Sequence, residues 1–235
     1  SCSRQDPLAE SQKLIQQFDY AGARKILERV VAKDSTNVGA MAMLLRVLWL
    51  GNDTTRFEAM RKSIVHPGNP NLLLALALCF YEIGDFTTAD SLLHLLSGNE
   101  KNDERIREMR KRTRVALVAR HLVDSAYIVA DKGQYRVAFE LYSQAVPLWL
   151  SINHIMGQAR TFSGRAFAQQ YLGNLKGLEA DAQASKRLSA EAGSLSLQAQ
   201  AFLLLGILHD RKSEYDSATM FFERAVQAAK TDGSR

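Results

Sequence analysis

Apolar residues along this chain recur every three to four positions. That is the spacing of one buried stripe on an α-helix, not the alternation of a strand. Leu8, Leu14, Ile15 and Phe18 open the pattern, and Pro7 suits the first helical turn, where a missing N–H costs nothing. A second stripe follows Tyr20 through Leu27 and Val30 and ends near Lys33, and the loop Asp34-Ser35-Thr36-Asn37 holds a capping candidate for the next helix. Val38 to Leu50 is strongly apolar and stops at Gly51. The break at 51–55 reads as longer than the others, and Phe57, Met60 and Ile64 make the helix after it. His66-Pro67-Gly68-Asn69-Pro70 cannot continue a helix, so Asn71 is expected to cap a new one over 72–83. Phe86, Ala89, Leu93 and Leu96 follow, and a long helix is predicted over about 103–131.

From there the pattern becomes a repeat. Gly133, Tyr135, Ala138, Tyr142 and Ala145 lie 80 residues before Ser213, Tyr215, Ala218, Phe222 and Ala225. Gly173, Leu175, Leu178, Ala182 and Ser185 stand midway, which gives a period of 40. Leu205-Gly206, His209 and Ala218-x3-Phe222 make 199–228 the clearest copy. It resembles a tetratricopeptide repeat, whose signature runs Leu-Gly, an aromatic, then Ala-x3-Phe. The resemblance implies an all-α fold, a right-handed α-α superhelix of about six helix-turn-helix repeats. Repeats of this length resemble those found beside bacterial transcriptional regulators, sensor kinases and caspase-like peptidases. The six residues beyond the common form are expected between repeats, at 149–157 and 189–197. Pro147 is expected to kink or end its helix, with Trp149 packed just beyond it.

The expected organisation is a tether over 1–6, N-terminal repeats over 7–98, a basic helical extension over 99–118, and three repeats over 119–230. Residues 231–235 would begin a further repeat. An exposed apolar side is then expected on the helix carrying Met220, Phe221 and Val226, the chain being cut from a longer protein or a partner covering that helix.

Charge narrows the partners. The net charge is +5, and residues 101–120 alone carry eight basic against three acidic side chains. The rest of the chain is close to neutral, so a generally basic nucleic-acid surface is not expected. The cluster contains no aromatic on which a base could stack. Asp103–Arg107 and Glu108–Arg112 are favourably ordered helical pairs, and a solvated, projecting helix start is the simpler reading. An acidic partner or an anionic lipid surface is the sharper one.

Chemistry is sparse. His66, His94, His121, His154 and His209 have no partner at i,i+4, and no Cys or carboxylate cluster has metal spacing, so neither metal nor cofactor is expected. No glycine-rich phosphate loop, nucleophile elbow or carboxylate pair stands out, so the chain is read as non-enzymatic. His209 fills an aromatic slot of the repeat, which favours packing over ligation. Cys79, within an apolar helix, reads as a small buried hydrophobe, with a pairing to Cys2 as the alternative. No apolar run is long enough to cross a membrane.

In tetratricopeptide arrays the first helix of each repeat lines a concave face. Carried onto this sequence, that face includes Arg120, Tyr127 and Asp131; Arg160, Phe167, Gln170 and Tyr171; and Gln200, Ile207 and Arg211. Arginines beside aromatics can anchor a peptide or helix of a protein partner. The competing reading packs Phe167 and Tyr171 within the superhelix. The family's clamp for chaperone C-termini needs an asparagine where this chain has Gln12, Leu78, Tyr127, Phe167 and Ile207, so that ligand is not expected.

The start, Ser1-Cys2-Ser3-Arg4-Gln5-Asp6-Pro7, resembles a processed bacterial lipoprotein, which implies a lipid anchor at Cys2 and a place in the cell envelope. A cytoplasmic sensory or regulatory module of a larger signalling protein or peptidase is the alternative.

Overall fold

The computed structural model describes residues 6–35, 37–64, 70–96 and 104–233. Among them are twelve helices and no strand: α1 (Pro7–Gln16), α2 (Tyr20–Lys33), α3 (Val38–Leu50), α4 (Thr54–Ile64), α5 (Pro70–Ile83), α6 (Phe86–His94), α7 (Glu104–Asp131), α8 (Tyr135–Ser151), α9 (Ile155–Tyr171), α10 (Leu175–Ala192), α11 (Leu195–Arg211) and α12 (Tyr215–Gly233). Consecutive helices pack on one another, as in an α-α solenoid. The chain divides into two compact units, with the boundary inside α7 between Arg114 and Val115.

In the first unit, Asp6 caps α1 by accepting the Leu8 N–H at 3.0 Å. Ile15, Ala23, Leu27 and Leu45 are fully buried. The turn from α3 to α4 spans only 51–53, no longer than the turn before α2, because Asp53 accepts the Arg56 N–H and starts α4 early. Asn71 is not a cap: α5 already begins at Pro70, the residue type best suited to a first helical position. Cys79 is buried with a free thiol, and its Sγ donates to the Ala42 carbonyl on α3 at 3.1 Å. Cys2 lies outside the described residues, as do Asp103 and the start of the basic cluster.

The basic first half of α7 does not simply project. Ile106, Met109 and Thr113 are buried, Arg110 donates to the Leu93 carbonyl at 2.6 Å, and the Arg112 guanidinium lies 5.1 Å from the Tyr81 ring centroid. Long cationic side chains lay their stems on apolar neighbours while the charge reaches a carbonyl or ring face. Arg107, Lys111 and Arg114 are exposed.

The second unit keeps a strict register. Ala126, Ala166 and Gly206 are buried one period apart, as are Ala138, Leu178 and Ala218 in the second helices. Small residues in the first helices let neighbouring elements approach closely. A Cβ on Gly164 would come 2.4 Å from the Tyr142 ring, and one on Gly206 would come 2.5 Å from the ring of Phe222. The forty-residue period lies in helix length, since α8 to α12 span 17 to 19 residues each. Pro147 does not end α8, which runs on to Ser151; the proline is exposed, so its ring meets solvent. Trp149 is buried just beyond it, as expected. At the far end α12 extends through Thr231 to Gly233. Met220 and Val226 are exposed on it, whereas Phe221 is buried, its ring stacked on His209.

The turns share one joint. Gly133, Asn153, Gly173, Gly193 and Ser213, spaced twenty residues apart, all have left-handed backbones. After Ser213, the Glu214 N–H reaches back to the His209 carbonyl while the Ser213 N–H reaches that of Asp210. This double closure satisfies carbonyls a helix end leaves open. It recurs at 133–134, 153–154, 173–174 and 193–194, and in the first unit at 18–19, 52–53 and 84–85. The residue after the left-handed one then starts the next helix. Asp19, Asp85, His154, Asn174 and Ser194 each accept a backbone N–H three positions on. At these turns a helix end and the next helix start are therefore one structure.

Candidate functional site

The second unit places the first helices of its repeats, α7, α9 and α11, one period apart, so equivalent positions fall on successive helices. At the N-terminal end of this face stand Arg120, Arg160 and Gln200. Arg120 is half-buried and holds Asp124, one turn on, through its Nε at 2.8 and 2.9 Å from the two carboxylate oxygens. Arg160 is exposed as a residue, yet its pKa is lowered, first by crowding around the guanidinium and then by the like charge of Arg120; Asp124 opposes this. Gln200 is exposed, and its Oε1 accepts the Ser163 hydroxyl of α9 at 3.4 Å.

Seven residues further along, Tyr127 is 70% exposed and Phe167 is 39% exposed, while Ile207 is half-buried. Beyond them lie Asp131, Tyr171 and Arg211, all exposed. The structure joins Phe167 and Tyr171 edge to face, with ring centroids 5.0 Å apart. A third ring completes the cluster. Tyr135, from the start of α8, stacks on Tyr171 at 4.1 Å and meets Phe167 at 6.3 Å. The Tyr135 hydroxyl pKa is raised, first by partial desolvation and then by Tyr171 and Asp131. Phe167 and Tyr171 thus pack against one another and still present ring surface to solvent.

Tyr142 forms the floor. It is buried, lies against Gly164, and its pKa is pushed up to about 12, first by burial and then by Tyr127 and Asp124. Gln170 is half-buried, and its Oε1 is buried without a hydrogen-bond partner among the described residues. Arg211 is the last residue of α11, lying in the chain between the paired His209 and Glu214, and among the described residues no ring contact ties it to the aromatic cluster. Of the residues expected on this face, the structure draws Phe167 and Tyr171 into one cluster and brings Arg120 and Arg160 within electrostatic reach. Tyr135 was missed because it opens a second helix. Its only signal was the aromatic recurring after Gly133 and again, as Tyr215, after Ser213-Glu214.

Behind the face runs a buried polar network that the sequence did not reveal. Asp181 of α10 is 5% exposed and accepts hydrogen bonds from Arg165 Nε and Nη2, at 2.7 and 2.8 Å, and from the Gln169 amide. Asn174 donates to Gln169 Oε1 at 2.8 Å and accepts the Gly177 N–H. This locks α9 to α10. Among the described residues, no group of three or more His, Cys, Asp or Glu side chains could hold a metal ion, and no helix is long and apolar enough to cross a membrane.

No protein-family model matches this chain, and no curated protein matches it in sequence. Among solved structures, it is similar to BtubC (BKLC) from P. vanneervenii at 13% identity, over 97% of this chain and 91% of that one, with a TM-score of 0.44. It is also similar to the P58(IPK) TPR domain at 13% identity, over 97% of this chain and 66% of that one, with a TM-score of 0.45.

Proposed function

We propose that this protein is a non-enzymatic interaction scaffold that holds a peptide or helix of a protein partner on the α7–α9–α11 face. The observation that carries this reading is the exposed Tyr135–Phe167–Tyr171 cluster. Rings held rigid by one another bind a partner at little entropic cost and make strong anchors. Arg120 and Arg160, about two helical turns away on the same face, add directional donors. The measurement is capture of binding partners by the wild type and by an Arg160→Ala, Phe167→Ala, Tyr171→Ala variant. The variant's helicity and melting temperature are checked in parallel. Loss of specific capture with the fold intact supports the face; equal capture removes it.

For the place of action we propose the bacterial envelope. The Ser1-Cys2 start supports attachment to a bacterial envelope by a lipid on Cys2. Mass spectrometry of the N-terminus of the native protein decides this: a diacylglyceryl adduct on Cys2 is expected, and an unmodified thiol overturns it.

A further inference from the structure

The α7–α9–α11 face is layered. The layer of Arg120 and Arg160 precedes that of Tyr127 and Phe167 by seven residues, about 10 Å along a helix. In the first layer the Arg120 charge is committed to Asp124. Arg160 is exposed and forms no ion pair among the described residues, so the two guanidiniums share the Asp124 carboxylate and one positive charge is left over. Crowding of the Arg160 guanidinium and the like charge of Arg120 raise the benefit of bringing in an anion. In the second layer the ring of Phe167, with that of Tyr171 one turn further on, is ready to take an apolar side chain.

We propose that the occupant of this face, on the scaffold reading above, is an extended acidic segment of a protein partner. One of its carboxylates sits on Arg160, and an aromatic or large aliphatic side chain three residues away lies against Phe167 and Tyr171. Three residues of a polyproline-II-like extended chain span about 9 Å, close to the separation of the two layers, and return the side chain to the same side. A guanidinium pairs with a carboxylate through two parallel hydrogen bonds, which fixes register as well as charge. Asp124 keeps Arg120 occupied, so a single carboxylate is enough. The required pattern is therefore one acidic residue and one large apolar residue at a spacing of three.

The test is a random dodecapeptide phage library panned on the full chain. Enriched peptides are expected to carry Asp or Glu three positions from Phe, Tyr, Trp, Leu or Met. A synthetic copy of the most enriched sequence should bind at least tenfold more weakly to Arg160→Ala, and a few-fold more weakly to Arg160→Lys. Replacing its acidic residue by the amide should cost the wild type the same factor and cost Arg160→Ala nothing further. Should Arg160→Ala unfold, Arg160→Gln takes its place. Enriched peptides without an acidic residue, or affinity unchanged in Arg160→Ala but lost in Phe167→Ala/Tyr171→Ala, overturn the acidic partner and leave the scaffold face standing. Affinity unchanged in both variants, or no enrichment at all, counts against the face itself. Tight binding of oligothymidylate that Arg160→Ala abolishes also overturns the proposal, since the anion would then be a phosphate.

Discussion

Ser213 holds a left-handed backbone, φ 61°, at the position occupied by Gly133 and Gly173 in the two preceding repeats. A Cβ in this region crowds the following carbonyl, whereas glycine enters it freely. Ser213→Gly is therefore expected to raise stability by roughly 0.5–1 kcal/mol, and Gly173→Ala to lower it by about 1 kcal/mol. Urea unfolding measures both, and the same sign for the two would refute the joint. Asp181 is the opposite kind of residue, since it holds other side chains. Asp181→Ala leaves Arg165 and the Gln169 amide without their acceptor and should cost about 3 kcal/mol. Asp181 and Arg165 stand sixteen positions apart on different helices. No periodicity within one helix points to such a pair, which is why sequence reading passed over it. The candidate face was legible only in part for the same reason: Arg160, Phe167 and Tyr171 follow from helical spacing, but Tyr135 reaches them from a neighbouring helix.

At the scale of elements, helix pairs are set by where a backbone can approach a ring. Gly164 faces Tyr142 with no room for a methyl group, so Gly164→Ala should destabilise by about 1–3 kcal/mol. Gly39, inside α3, offers a contrast. A Cβ there would meet the Leu8 side chain at 3.4 Å, close to ordinary contact. Gly39→Ala is then expected to stabilise by about 0.5–1 kcal/mol, through helix propensity alone. Thermal melts of the two variants should shift in opposite directions. Helix number and register could be read from the apolar stripes because every repeat obeys them. The errors came where side-chain placement overrides composition. Pro147 is tolerated because it faces solvent, and the cations of α7 are held because Leu93 and Tyr81 offer a carbonyl and a ring.

For the molecule as a whole, acid–base behaviour should mark its alkaline limit. Burial is the first cause that pushes the Cys79 thiol and the Tyr142 hydroxyl each up to about 12, from 9.0 and 10.0. The folded state thus prefers both groups neutral. Their contribution, roughly a few kcal/mol each, is fully present below pH 9 and is lost as pH rises toward 12. Unfolding free energy should fall between pH 9 and 11, and Tyr142→Phe should flatten the fall above pH 10. A flat profile in the wild type would contradict the burial of both groups.

The left-handed joint has a consequence for the ancestry and editing of such a chain. Because 153, 173, 193 and 213 close their turns by the same two hydrogen bonds, a splice between matching joints leaves no scar. Removing 154–193 would join Asn153 to Ser194, a residue that already caps a helix, and would return the chain to an identical phase. The chain is punctuated like a measured text, in which a whole clause can be copied or struck out and the grammar at the cut still holds.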